Sequence, residues 1–197
     1  MFSEDKIDKA KEIINIALAK AGDSLSFFIK QRVIIKSNLV SFENVCLTAL
    51  QESFSHDEYV VLKTEIKGDL SGVCFLMFNK DETERILELA LPANVLSDVK
   101  KKQEFGDAFL LEIDNIVTAS VVTQFSNLLN YKMYGYVPSL QRTNKADLSN
   151  VLKNECGDEE SVLSIKTQFI TDTLNLEPVF LWFFKKENFI EAIDKLN

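Results

Sequence analysis

Apolar residues recur at three- and four-residue steps along the first stretch of the chain: Ile7, Ala10, Ile14, Leu18, Ala21, Leu25 and Phe28. That spacing predicts a helix from about Ser3 to Gln31 with one face toward a core. Ser3 ahead of Glu4 and Asp5 supplies an N-cap and first-turn acid. At ~1.5 Å per residue the helix is on the order of 40 Å long, with Gly22 as a cheap interruption or slight kink. The pattern then shortens. Arg32–Lys36 reads as a strand, Ser41–Ser53 as a loose helix, and Tyr59–Lys67 and Leu70–Phe78 as two strands joined at Gly68-Asp69. Asp81–Leu91 reads as an amphipathic helix that Pro92 stops, leaving Ala93–Asp98 as the linker.

The order then repeats. Val99–Asn130 predicts a second long helix, Lys132–Val137 a strand ending at Pro138, and Lys145–Asn154 a short helix. Ser161–Thr171 and Glu177–Lys185 read as strands, and Glu187–Leu196 as a closing helix. The expected fold is therefore α/β (α+β): one domain over 1–197, built as a pseudo-twofold duplicated unit from repeats at about 3–91 and 99–196. A period this long does not fit a solenoid. Val73–Phe78 and Val179–Phe184 are apolar on both faces, which places them centrally in a sheet, near the junction of the halves. The cluster Phe180, Trp182, Phe183 and Phe184 reads as core.

Charge narrows the function. The net charge is −8, with a pI near 4.8. No basic stripe exists to neutralise phosphates, which argues against nucleic acid and against anionic membrane surfaces. The longest apolar runs are strand-length, far below the ~20 residues of a membrane span. The N-terminus has no apolar h-region, so no signal peptide is expected. Cys46, Cys74 and Cys156 are widely spaced and read as reduced thiols of a cytoplasmic protein.

One polar pattern stands out. Of all the glutamates, only Glu12 and Glu112 have an asparagine three residues later, at Asn15 and Asn115. Both pairs fall in the long helices at a fixed offset of 100 residues, and Asp8 lies one turn before the first. Glu and Asn at i and i+3 share a helical face. Along it follow Ala19, Gly22 and Ser26, or Ala119, Val122 and Ser126, mostly small residues that admit a close neighbour. His56 sits in a polar run between elements and reads as a solvated loop residue, which disfavours a Ser-His-Asp triad. Gly157–Glu160 reads as an acidic turn without calcium-loop spacing, and no metal site is expected in the chain.

Asp8-x3-Glu12-x2-Asn15 and Glu112-x2-Asn115-x22-Pro138 resemble the signature of the CheC/CheX/FliY phosphatases of bacterial chemotaxis. Gly68–Phe78 is similar to the family's hairpin segment. Two copies in a chain of this length are most like the CheC form. The resemblance implies a central β-sheet with the two motif-bearing helices on one face. It also implies hydrolysis of the aspartyl phosphate of a CheY-like receiver. Asn15 and Asn115 would hold the attacking water, and Glu12 and Glu112 would pair with the receiver's lysine. Asp8, Ala19 and Ala119 would meet the partner. The chain itself needs no cofactor, since the receiver brings Mg²⁺. CheD is a further candidate partner. The sequence departs from the signature at Asn38, where the first copy lacks proline, and at Ala108, where the second lacks an acid or serine, Asp107 lying one residue off. The glycine-rich stretch after each asparagine is also absent. These departures leave open which site works. They also motivate the alternative of a non-catalytic receiver- or CheD-binding module. A third reading is an oligomerising protein that uses its Phe-rich strand.

Overall fold

The computed structural model describes residues 4–44, 54–155, 160–185, 188 and 191–192. Helix α1 (Glu4–Ile29) leads into strand β1 (Ile34–Asn44), and β2 (Glu58–Gly68) and β3 (Gly72–Asn79) form a hairpin. Asn79 caps the next helix, α2 (Lys80–Ala90). Its side chain accepts from the Glu82 N–H while the Glu82 carboxylate accepts from the Asn79 N–H. A short α3 (Ala93–Leu96) follows. Asp98 then caps α4 (Val99–Leu129), which ends at Asn130 in the left-handed conformation (φ 53°). Strands β4 (Met133–Gly135) and β5 (Ser139–Asn144), helix α5 (Lys145–Lys153), and strands β6 (Glu160–Ile170), β7 (Asn175–Leu176) and β8 (Val179–Lys185) complete the described elements.

All eight strands join one antiparallel sheet in the order β1-β6-β8-β3-β2-β4, with β5 also on β2 and β7 on β6. Exchanging the halves (β1 for β4–β5, β2 for β6, β3 for β8) turns this order into its own reverse. The first strand of each half therefore pairs with the hairpin of the other half. At the centre, β3 and β8 run side by side, from Gly72 opposite Phe184 to Met77 opposite Val179.

Alternation along these two strands feeds both faces of the sheet. Cys74, Leu76, Phe78, Phe180, Trp182 and Phe184 pack under α1, α2 and α4. Phe75, Met77, Leu181 and Phe183 face the other way, toward Leu148 and Leu152 of α5. All ten are buried, so the apolar double face read from the sequence is core. Each such aromatic contributes about 2–3 kcal/mol by removal from water. Both long helices lie on the same face of the sheet.

Four local expectations change. Ser41–Asn44 belongs to β1 rather than to a helix, because that edge pairs with Ser161–Ser164 of β6; the remainder of the expected helix, 45–53, lies outside the described residues. Ala93–Leu96 is a helical turn, closed by bonds from the Val95 and Leu96 N–H groups to the Pro92 carbonyl, and not an open linker. Beyond Pro138 the chain forms a second strand segment, β5, on β2. Gly22 serves close packing: a Cβ there would stand 3.1 Å from both the Ile35 nitrogen and the Val33 oxygen, so the missing side chain lets β1 run against α1. Most of the closing helix and of the Gly157–Glu160 turn lies outside the described residues, although Glu160 opens β6 and Asn188, Glu191 and Ala192 are helical.

Candidate functional site

Burial of one stripe exposes the other. In α1, Ala10, Ile13, Ile14, Ala17, Leu18 and Ala21 are buried, and this turns Asp8, Glu12, Asn15 and Ala19 to solvent. In α4, Leu110, Ile113, Val117 and Val121 are buried, which leaves Asn115 and Ala119 exposed and Glu112 half-buried. Asp8 pairs with Lys11 at 3.1 Å. Each helix therefore carries a carboxylate and an amide one turn apart on an uncovered face. The small-residue stripe ends sooner than its spacing suggests, since Gly22 and Val122 are buried. Phe28, read as core, is 41% exposed and stacks on Phe109 at 5.6 Å between centroids.

The two faces differ in their surroundings. Beside the first, the Ser37 hydroxyl donates to Asn15 Oδ1 at 2.6 Å. The Asn115 side chain has no hydrogen-bond partner among the described residues. Beside the second, Glu112 and Ile116 line a recess with Ser24, Ser26, Phe27, Phe28 and Lys30 from the end of α1. Asp107 is committed elsewhere, to a two-pronged pair with Arg142 on β5.

Bulges set this geometry. Ser37 faces Thr167 and Leu39 faces Lys166, so Asn38 is an extra residue on β1. In the second half Gly135 faces Ile66 and Ser139 faces Lys63, so Tyr136, Val137 and Pro138 stand opposite only Thr64 and Glu65. A one-residue insertion thus occurs in both halves, and the position 23 residues past each asparagine falls in it: Asn38 is the extra residue in one half, and Pro138 belongs to the three-residue stretch in the other. Proline suits such a break because it has no N–H to give the ladder.

A buried carboxylate went unnoticed in the sequence. Asp114, next to Asn115, is fully buried and accepts from Thr64 Oγ1 at 2.6 Å and more weakly from Thr118 Oγ1 at 3.4 Å. Burial pushes its pKa up to about 6, and the two hydroxyls pull it partly back. The signal was present: Asp114 and Thr118 follow Leu110 at successive four-residue steps, on the core side of α4. Ser37 carried no such periodic mark.

A larger groove than that recess lies away from these faces. It measures about 860 Å³ and is lined by Glu58, Lys80, Glu84, Lys102 and Arg142, among others. Its cations are matched internally, Lys80 with Glu58 at 2.7 Å, Lys102 with Glu84 and Arg142 with Asp107, so it offers little free charge to a ligand. The described residues contain no group of three or more His, Cys, Asp or Glu side chains that could hold a metal ion, and no helix long and apolar enough to cross a membrane. His56 is exposed, with Nδ1 3.1 Å from the Ser55 hydroxyl.

No protein-family model matches the chain. Its structure is similar to that of FliY from Thermotoga maritima, at 20% identity and a TM-score of 0.77, over 100% of this chain and 98% of that one. It is similar to the FliM middle domain from H. pylori at 12% identity and a TM-score of 0.65, over 98% and 99% of the two chains. A third likeness is to a chain of the CheX-CheY-BeF3-Mg²⁺ complex from Borrelia burgdorferi, at 12% identity and a TM-score of 0.51, over 88% and 98%. With its antiparallel sheet and two long helices on one face, the chain has the fold of the CheC/CheX/FliY proteins, which the FliM middle domain shares.

Proposed function

We propose that this chain is a cytoplasmic phosphatase of the two-motif form, acting on the aspartyl phosphate of a CheY-like receiver in chemotaxis or related two-component signalling. The observation that carries the reading is the repeated Glu-x-x-Asn face, uncovered on both long helices of a fold also found in a complex with CheY.

The chemistry fits what the chain presents. In the acyl phosphate, water attacks phosphorus, the bond from phosphorus to the aspartyl oxygen breaks, and the electron pair leaves with the carboxylate. The products are aspartate and inorganic phosphate. Such a reaction depends on positioning and charge stabilisation more than on a protein nucleophile. The receiver brings its Mg²⁺, which neutralises charge on the phosphoryl oxygens. What this chain adds is an amide. Asn15 or Asn115 accepts a hydrogen bond from the attacking water and aims its lone pair at phosphorus. Glu12 or Glu112, one turn away, pairs with the receiver's lysine and fixes the docked register, with Asp8, Ala19 and Ala119 at the edge of contact.

The test is phosphate loss from a phosphorylated receiver. Asn15→Ala with Asn115→Ala lowers the catalysed rate by roughly 10²-fold, the weight of one positioning group. Unchanged phosphate lifetimes with that variant reject the proposal.

A second reading has its own support. FliM from H. pylori, of the same fold, has been seen with FliG and with SpeE, so the scaffold also serves docking. The replacement of the signature positions by Asn38 and Ala108 favours a binding module for a receiver or for CheD. Phosphorylation-dependent capture of the receiver without faster phosphate loss selects that reading.

A further inference from the structure

We propose that Ser37 is a positioning residue of the first site, and that its hydroxyl holds the Asn15 amide ready for water. The inference rests on the phosphatase reading above and adds a member to that site.

The starting point is an asymmetry between otherwise matching halves. Ser37 Oγ stands 2.6 Å from Asn15 Oδ1. The residue 100 positions on is Val137, which is exposed and has no hydroxyl, and the Asn115 side chain is left without a hydrogen-bond partner among the described residues. The origin is local. Asn38 bulges from β1, and a bulge re-aims its neighbours. Gly22 brings the same strand against α1. Ser37 is thus rooted in the sheet, on a segment whose neighbours Val33 and Ile35 are buried, and it reaches across to the helix.

An exposed asparagine samples several rotamers, and each one that misses the phosphorus is unproductive. A bond from a sheet-anchored hydroxyl selects one orientation before the partner arrives, which is the gain of preorganisation. It does not use the group up. A carbonyl oxygen has two lone pairs, so Oδ1 accepts from Ser37 and still accepts from water, while both amide N–H bonds stay free for phosphoryl oxygens. Ser37 itself touches neither water nor phosphorus. The consequence is an inequality of sites: the first is preset, and the second must order its amide on docking.

Isolating each site tests this. In the Asn115→Ala protein, where the first site acts alone, Ser37→Ala lowers kcat for receiver dephosphorylation about three- to tenfold, the weight of one neutral hydrogen bond, and leaves KM unchanged. Ser37→Thr, which keeps the hydroxyl, restores most of the rate. The cost of Ser37→Ala disappears once Asn15 is alanine. Independently of catalysis, side-chain ¹⁵N relaxation finds the Asn15 amide ordered and the Asn115 amide mobile, and Ser37→Ala mobilises Asn15. A kcat that holds or rises in Asn115→Ala/Ser37→Ala, or an Asn15 amide whose order is indifferent to Ser37, overturns the inference. Full activity of the Asn15→Ala/Asn115→Ala protein would instead overturn the phosphatase reading, and the relaxation measurement would still decide whether Ser37 holds the amide.

Discussion

Thr64 on β2 donates a 2.6 Å hydrogen bond to Asp114 of α4 inside the core, one residue from an asparagine that faces solvent. The bond ties the second motif helix to the sheet, and burial of the carboxylate makes the fold sensitive to pH. Burial raises the Asp114 pKa from 3.8 to about 6, so the folded chain holds this proton more tightly than the unfolded chain does. For a raised carboxylate the stabilisation is complete below about pH 4 and is lost as pH climbs through 6. The shift corresponds to about 3 kcal/mol. Asp114→Asn, which still accepts from Thr64, flattens that dependence. Urea unfolding should find the variant at least as stable as the parent near neutral pH, with no such advantage near pH 4. A parent whose stability rises steadily from pH 4 to 7, with the variant following in parallel, would contradict the assignment.

Charge on the motif faces is a separate matter. Glu12 is exposed and Glu112 half-buried, and neither has an ion-pair partner among the described residues. Glu12→Lys together with Glu112→Lys should raise KM for a phosphorylated receiver about tenfold or more and change kcat less. The difference should shrink as salt is added, because like charges then face each other across a partly solvated contact. A KM that ignores both substitutions would remove the glutamates from docking.

Ser26 closes the end of α1. Its hydroxyl accepts from the Val33 N–H at 2.8 Å and donates to the Gly22 carbonyl at 2.7 Å. Ser26→Ala strands the Val33 N–H at the turn into β1. It should cost about 1–2 kcal/mol by chemical denaturation, with amide exchange quickening first at Val33. Ser126 has the matching role on α4, donating to the Tyr131 carbonyl, and Ser126→Ala should act in the same direction.

Gly72 stands where the two halves meet. A Cβ there would lie 2.0 Å from the Phe183 oxygen and 3.1 Å from Trp182 Nε1. Backbone, not a movable side chain, blocks it, so Gly72→Ala should cost about 3 kcal/mol through strain at the β3–β8 seam. Trp182 emission reports the same seam during unfolding.

Periodicity revealed the long helices, the β2–β3 hairpin and the central strands because burial on one or two faces stamps itself on spacing. The motif face was legible for the complementary reason: its residues fall outside the apolar stripe, and they do face solvent. What escaped were features made by partners distant in sequence. β5 is mostly polar, with only Leu140 and Thr143 half-buried, and becomes a strand because β2 offers it an edge. Ser41–Asn44 carries no helix-breaking signal and is claimed for β1 by β6. Ser37 gains its contact from a bulge, which no local pattern announces. Asp114 was readable as a polar residue on a core-facing step, yet its environment depends on Thr64, fifty residues earlier.

The interlaced order of the sheet has a consequence for how the molecule comes into being. Ile34 sits opposite Ile170, a partner made 136 residues later. During synthesis the β2–β3 hairpin can close early, while β1, at the far edge of the sheet, waits for β6 from late in the chain. Loop closure over such a span makes completion slow compared with helix formation. Neither half on its own can supply both sides of its ladder. A nascent chain halted at the junction therefore holds unsatisfied strand edges, the kind of surface that chaperones shield.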